Sequence, residues 1–287
     1  MNNNSSLSHR REEPENGVLY LVGTPIGNLN DISPRAINIL KNVSLIACED
    51  TRHTKKITSR FDINNRLISF NKYNSQSRIP KIINFLKEGK SVALVSDAGM
   101  PSICDPGEDL VKNLNIHDLQ IICIPGPSAA LTALVSSGFP ASKFNFEGFI
   151  PKKKKEREKI LSEISMNEKT TIVFESPHRF KKLLNELKEH CGGEREISIS
   201  RELTKKFEEK INNNIENVIN IFKDREIKGE ITIVIRGINK NKKEEFNKPL
   251  LKKEIMELID AGLSLSAAAK YLAKKKNLKK NLLYNLH

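Results

Sequence analysis

The stretch Val92-Ala93-Leu94-Val95-Ser96-Asp97-Ala98-Gly99-Met100-Pro101 decides the fold. An uninterrupted apolar run reads as a strand, and the Asp, Gly and Pro that follow stop it abruptly. The same grammar recurs outward from it, at Val18 to Val22, Leu45 to Cys48 and Leu119 to Ile124. Longer helical patterns such as Pro34 to Lys41 and Ile79 to Glu88 separate these runs. Short β-branched runs alternating with helices are the pattern of parallel βαβ units.

A second group of strand candidates follows at Thr171 to Phe174, Ile197 to Ser200 and Ile231 to Ile235, with a helix from Pro177 to His190 between the first two. Pro125-Gly126-Pro127 separates the groups and cannot continue a strand, so it is the expected hinge. The prediction is an α/β protein with two α/β domains, 17–124 and 125–238. A polar tail, 1–16, lacks anything to bury and is expected to be disordered. An Asn/Lys/Glu linker and a basic helical tail occupy 239–287, with Gly262 ending one helix and Ser264 or Ser266 capping the next. That helix-turn-helix pattern is common, and serves packing as readily as nucleic-acid contact.

At 287 residues the chain is long enough for two such cores. Its 48 Lys+Arg against 35 Asp+Glu leave a formal charge of +13, which favours a polyanionic partner, nucleic acid first. Cys48, Cys104, Cys123 and Cys191 form no CxxC pair, so neither a zinc site nor a disulfide framework is expected. They read as reduced, mostly buried thiols. With no apolar signal core and no run long enough to cross a bilayer, the expected location is the cytoplasm.

In parallel sheets ligands bind beyond the carboxyl ends of strands, which directs attention to the loops there. Gly23-Thr24-Pro25-Ile26-Gly27-Asn28 matches neither a Walker loop nor a GxGxxG fingerprint, and Pro25 removes an amide that a phosphate cradle needs. It suits a tight pocket or an ordinary turn. Asp97 to Pro101, continuing to Asp105-Pro106-Gly107, supplies carboxylates beside glycine that either accept hydrogen bonds from a ligand or form turns and caps. Ser128 stands where it would cap a helix, with the small Ala129 and Ala130 behind it. Glu49-Asp50-Thr51-Arg52-His53-Thr54 is either an acid/base site or an ion-paired corner. Lys152 to Lys155 either grip a phosphate backbone or are solvated.

In order, the segments GTPIGNLNDISPRA, CEDTRHT, LVSDAGMPSICDPG, IPGPSAALTALVSSGFP, GFIPKKKKERE, FESPHRF, SRELTKKFEE and KGEITIVI resemble the tetrapyrrole methylase superfamily, in particular its branch that methylates small-subunit ribosomal RNA. The resemblance runs from about Gly17 to Gly237. It implies two α/β domains with S-adenosylmethionine in the cleft between them, a homodimer, and 2'-O-methylation of a cytidine in the decoding region of 16S ribosomal RNA, within the 30S subunit. It also implies that Pro25, Asp97, Gly99, Met100, Ser128, Ala129, Phe174, Gly229 and Glu230 line the cofactor cleft. Methyl transfer from a sulfonium depends on alignment and needs no metal. A ribose hydroxyl is a weak acid, so a base is required: Glu49 or Asp50 is expected to accept the proton, with Arg52 positioning phosphate or ribose. His53 and Lys152, Lys153, Lys154 and Lys155 are expected at the RNA. Two other functions compete with this one, methylation of a tetrapyrrole and non-catalytic RNA binding.

Overall fold

The computed structural model describes residues 13–238, 248–276 and 283–284. Described residues 13–238 form one compact unit that holds two five-stranded sheets; the described residues from 248 on belong to another.

The first sheet is all parallel and has five strands: β1 (Leu19–Val22), β2 (Leu45–Cys48), β3 (Leu67–Ser69), β4 (Val92–Val95) and β5 (Ile121–Ile124). Their order is β3-β2-β4-β1-β5. Alternate residues feed two cores. Tyr20, Ile46, Cys48, Ala93 and Val95 pack with residues of α1 (Pro34–Asn42) and α2 (Thr51–Arg60). Leu19, Leu45, Ala47, Val92 and Leu94 pack with residues of α3 (Ser75–Lys87) and α4 (Glu108–Ile116). Burial on both faces is why these strands read as unbroken apolar runs.

The second sheet is mixed, in the order β6-β7-β10-β8-β9. Its strands are β6 (Phe144–Phe149), β7 (Thr170–Glu175), β8 (Glu196–Arg201), β9 (Glu209–Asn214) and β10 (Ile231–Ile235). Only β6 and β7 pair in parallel. Val173, Ile199 and Ile233 meet α6 (Lys154–Met166), α7 (Pro177–Cys191) and α8 (Ile215–Phe222) on one face. On the other, Ile172 and Val234 meet Ala130, Ala133 and Leu134 of α5 (Ala129–Ser137), together with Ile26 from the first sheet's leading loop.

Three strands escaped sequence reasoning. β3 has three residues and lies at a sheet edge; β9 is a polar edge strand, Glu-Lys-Ile-Asn-Asn-Asn; β6 is broken by a bulge between Phe146 and Gly148. Edge strands carry less of the apolar signal that marks central ones. Two other expectations need correction. Of the polar leading segment, residues 1–12 lie outside the described residues, but Glu13 is ordered by Arg35, whose Nε donates to Oε2 at 2.8 Å. Cys104 and Cys123 are exposed rather than buried, because Cys104 sits on a cavity loop and Cys123 points away from the core between the inward Ile122 and Ile124 of an edge strand.

The expected linker, 239–247, lies outside the described residues. In the second unit, α9 (Lys248–Asp260) is followed by Gly262 with φ of +96°. There Ser264 Oγ accepts from the Ala267 amide at 3.3 Å, capping α10 (Leu265–Lys276). Leu251, Ile255, Ala269 and Leu272 form its core.

The ends of β1 and β5 approach so closely that a Cβ on Gly23 would lie 2.6 Å from the Gly126 Cα. Backbone cannot yield as a flexible side chain does. Gly23→Ala is therefore expected to cost about 1–3 kcal/mol through overpacking, measured by urea unfolding; an unchanged midpoint would show that the two loops separate freely.

Candidate active site

Parallel pairing brings the carboxyl ends of β1, β2, β4 and β5 to one edge of the first sheet. The loop after β1 is locked to the loop after β4. Thr24 and Gly99 exchange backbone hydrogen bonds of 2.9 and 3.1 Å, and the buried Thr24 hydroxyl reaches the carbonyls of Ser96 and Gly99 at 3.2 and 3.3 Å. Gly99 makes this turn at φ of +81°, a conformation that side chains resist. The locked loops face the second sheet across a cavity of about 480 Å³, within the span of roughly 300–1,000 Å³ usual for cofactor and small-ligand sites.

Of the residues expected at the cofactor, Asp97, Met100, Ser128, Ala129, Phe174, Gly229 and Glu230 line this cavity. Pro25 and Gly99 do not. Both are buried beneath the wall, and Ile26 takes the lining position. The loop could not have been resolved to that level from sequence, because the Thr24 lock determines which neighbour faces inward. Ser128 caps α5 by accepting from the Leu131 amide at 3.5 Å.

The far wall is built by the segment SRELTKKFEE, Ser200 to Glu209. Glu202 Oε1 accepts from the Glu230 amide at 2.9 Å, and Lys205 Nζ joins Glu202 at 2.8 Å to Glu230 at 3.0 Å. Gly229 turns at φ of +87° against the Glu202 carboxyl, where a side chain has no room. The Asn28 amide donates to the Thr204 hydroxyl at 3.0 Å, so the same loop also grips the first half of the protein.

Glu175, Ser176 and Pro177 were also missed as lining residues. The Glu175 side chain is fully buried; Oε1 meets Arg179 at 2.6 Å and the Ser176 amide at 2.7 Å, while Oε2 has no hydrogen-bond partner. Arg157, itself buried, binds Glu186 by Nε at 2.9 Å and leaves Oε2 of Glu175 at 3.8 Å. Their signal in the sequence was a carboxylate at a strand end inside FESPHRF.

The acidic segment after β2 divides. Glu49 lines the cavity with Asp97 and Asp105. Burial raises the Glu49 pKa, and the neighbouring Asp97 charge adds to the effect. Burial, reinforced by Glu49, pushes Asp105 up to about 7. Of the two alternatives expected for the base, Glu49 or Asp50, Asp50 is otherwise engaged. Its carboxylate caps α2, accepting from the Arg52 amide at 2.8 Å, and meets the Arg52 guanidinium at 2.6 Å. Those hydrogen bonds hold it far below the usual carboxylate range, which makes it a poor proton acceptor, and neither partner lines the cavity. His53 Nδ1 lies 3.1 Å from Asp97 Oδ2, and the Asp50 amide donates to Asp97 Oδ1 at 3.0 Å. Lys152 to Lys155 are exposed beyond the cavity residue Phe149; Lys153 and Lys154 face Glu156 and Glu158 at 3.4 and 3.9 Å.

A sheet-edge cavity walled by two α/β halves defines the class. The chain belongs to the tetrapyrrole (corrin/porphyrin) methylases, whose family model matches residues 18–219. Among curated relatives it is 40% identical over 270 residues to the ribosomal RNA small subunit methyltransferase I of Synechocystis sp., spanning 94% of this chain and 97% of that one. It is 42% identical over 275 residues to the protein of the same name from Bacillus subtilis, spanning 94% of each. Of solved structures, uroporphyrin-III C-methyltransferase from Thermus thermophilus is similar in fold, with a TM-score of 0.56 at 16% identity over 77% of this chain and 94% of that one. A cobalt precorrin-4 methyltransferase gives 0.59 at 14% identity over 77% and 95%. Among the described residues no helix is long and apolar enough to cross a membrane.

A carboxyl whose pKa is raised on folding stabilises the fold when protonated, and that stability is lost as pH rises. For Asp105 the window runs from about 4, the unfolded value, to about 7. Asp105→Asn is expected to raise the melting temperature more at pH 8 than at pH 5; an equal shift at both would mean that Asp105 carries no such strain.

Proposed function

We propose that the protein methylates the 2'-hydroxyl of a cytidine ribose in the decoding region of 16S ribosomal RNA, with S-adenosylmethionine as donor. One combination carries the reading: a carboxylate-bearing cavity at the sheet edge, in a chain 40% identical to small-subunit ribosomal RNA methyltransferases over nearly its whole length. The substrate is proposed to be the 30S subunit in the cytoplasm.

The donor's chemistry fits the residues present. Ile26, Met100, Phe149, Phe174 and Ile231 offer apolar walls, while Asp97, Glu49 and Glu230 place negative charge around a cation. Glu175 Oε2, 3.8 Å from the Arg157 guanidinium, is a buried acceptor without a hydrogen bond at that wall. When bound, S-adenosylmethionine supplies a methyl group activated by positively charged sulfur, and transfer leaves a neutral thioether.

Glu49 and Asp105 act together as the base. A carboxyl poised near neutrality combines the ionised form with useful basicity, and burial together with the facing Glu49 poises Asp105 there. The Glu49–Asp105 pair takes up the proton that the ribose oxygen releases on accepting the methyl group of bound donor. Asp97 orients His53 and the first turn of α2, and Arg52, exposed at the rim, positions phosphate or ribose. Lys152 to Lys155 provide further contacts on the opposite rim. This displacement calls for no metal, since alignment and charge loss at sulfur drive it.

Glu49→Gln and Asp105→Asn are each expected to lower kcat about 100-fold on 30S subunits with labelled donor, with donor affinity by calorimetry within a few-fold for Asp105→Asn and weaker for Glu49→Gln, which also removes charge facing the donor. Full activity in both would place the base elsewhere. The wild-type kcat/KM for the donor, which reports the free protein, should rise about tenfold from pH 6 to 8, following a group near 7.

The working form is proposed to be a homodimer, a reading supported by Leu131 and Val135, which lie one helical turn apart on α5 and are 50% and 77% exposed. Sedimentation as a monomer at micromolar concentration would remove this element.

A further inference from the structure

Arg52 and His53 occupy only the first turn of α2, and the helix stays exposed beyond them on one side. Arg52, Lys56 and Arg60 recur every four residues and are all exposed, so they form one stripe along the helix. The rise of the helix sets them about 6 Å apart, a track about 12 Å long. Beside it runs a second line at the same spacing, Thr51, Lys55 and Ser59. This second line, with Asn64, borders an open groove of about 620 Å³ whose lining contains no carboxylate.

The cations farther along this helix are free to meet an external anion. Among the described residues Lys55, Lys56 and Arg60 form no ion pair, and Arg60 only rests over the Phe61 ring, 5.9 Å from its centroid. Lys153 and Lys154 on the other rim are in part neutralised by their own helix. The track also starts in the right place. Glu49 lines the cavity directly before α2, and Asp97, another lining residue, holds both the Asp50 amide and His53.

From these placements we infer that the α2 stripe and its groove are the docking track for the single-stranded RNA next to the methylated nucleotide. The phosphates lie along Lys56 and Arg60, and sugar or base edges enter the groove at Lys55, Ser59 and Asn64. The partner is polyanionic because the track presents cations and neutral donors only. It is single-stranded because the acceptor sugar must enter a cavity, which a paired helix does not allow without unpairing. This inference rests on the proposed ribosomal RNA activity and specifies the surface that serves it.

The test uses the full-length protein carrying Lys55→Ala, Lys56→Ala and Arg60→Ala together, assayed with 30S subunits and with deproteinised 16S RNA. Affinity for both is expected to fall at least about tenfold at low salt, and the slope of log affinity against log salt to become shallower by about 1.4, roughly 0.7 for each of the two lost phosphate contacts to a single strand. Donor affinity and melting temperature should stay near wild type. The charge-preserving variant Lys55→Arg, Lys56→Arg, Arg60→Lys should bind RNA within a few-fold of wild type, which separates loss of charge from damage to the helix. Unchanged affinity and slope in the alanine variant would overturn the inference, and so would loss of 30S binding with normal binding of deproteinised RNA, because the occupant would then be a ribosomal protein. Wild-type protein that methylates neither substrate would instead count against the proposed function.

Discussion

The exchange of backbone hydrogen bonds between Thr24 and Gly99 is the constraint on which the site depends. Strand-end loops are ordinarily the mobile part of a parallel sheet. Here two of them are joined by a miniature antiparallel bridge, and the buried Thr24 hydroxyl adds contacts to the Ser96 and Gly99 carbonyls. Close backbone contact between Gly23 and Gly126 ties in the loop after β5. Three loops from three strands therefore behave as one wall, with Ile26, Asp97 and Met100 projecting from it. Without that bracing, the carboxylates would relax into water, and the burial that raises their pKa values would disappear.

The opposite wall obeys the same logic with charges in place of backbone. Glu202 and Lys205 hold Glu230 by its amide and its carboxylate, while Thr204 reaches the Asn28 amide across the cleft. Both Glu202 and Thr204 adopt positive φ, at 53° and 65°. Backbone in that region persists only where surrounding contacts over-determine it. The loop between β8 and β9 thus spends local conformational freedom on holding a cavity wall to the facing half of the protein.

Sequence revealed the parts of this arrangement that depend on local pattern. β1, β2 and β4 are buried on both faces, so their apolar runs stood out, and the loops after them were identifiable as candidate walls. It did not reveal what depends on long-range contact. Asp50 and Glu49 are adjacent and chemically alike, yet Asp50 is consumed by Arg52 two residues on, and Glu49 finds Asp105, far along the chain. Pro25 and Ile26 are equally adjacent, and only the Thr24 lock decides that Ile26 faces the cavity. β9 was invisible because an edge strand of Asn and Lys has no apolar face to announce it.

Net charge was informative in sign and silent about placement. The excess of cations coexists with an acidic cavity, and the two fields act on the same carboxyl pair. A cation bound beside Glu49 and Asp105 favours their ionised form, whereas phosphates docked along the neighbouring helix favour the protonated one. Solvent screens the exposed helix over about 10 Å at ordinary ionic strength, but the enclosed cavity much less. The cationic ligand therefore exerts the stronger influence: with the donor in place more of the proposed base is ionised and ready to take a proton, while each carboxylate becomes the weaker base.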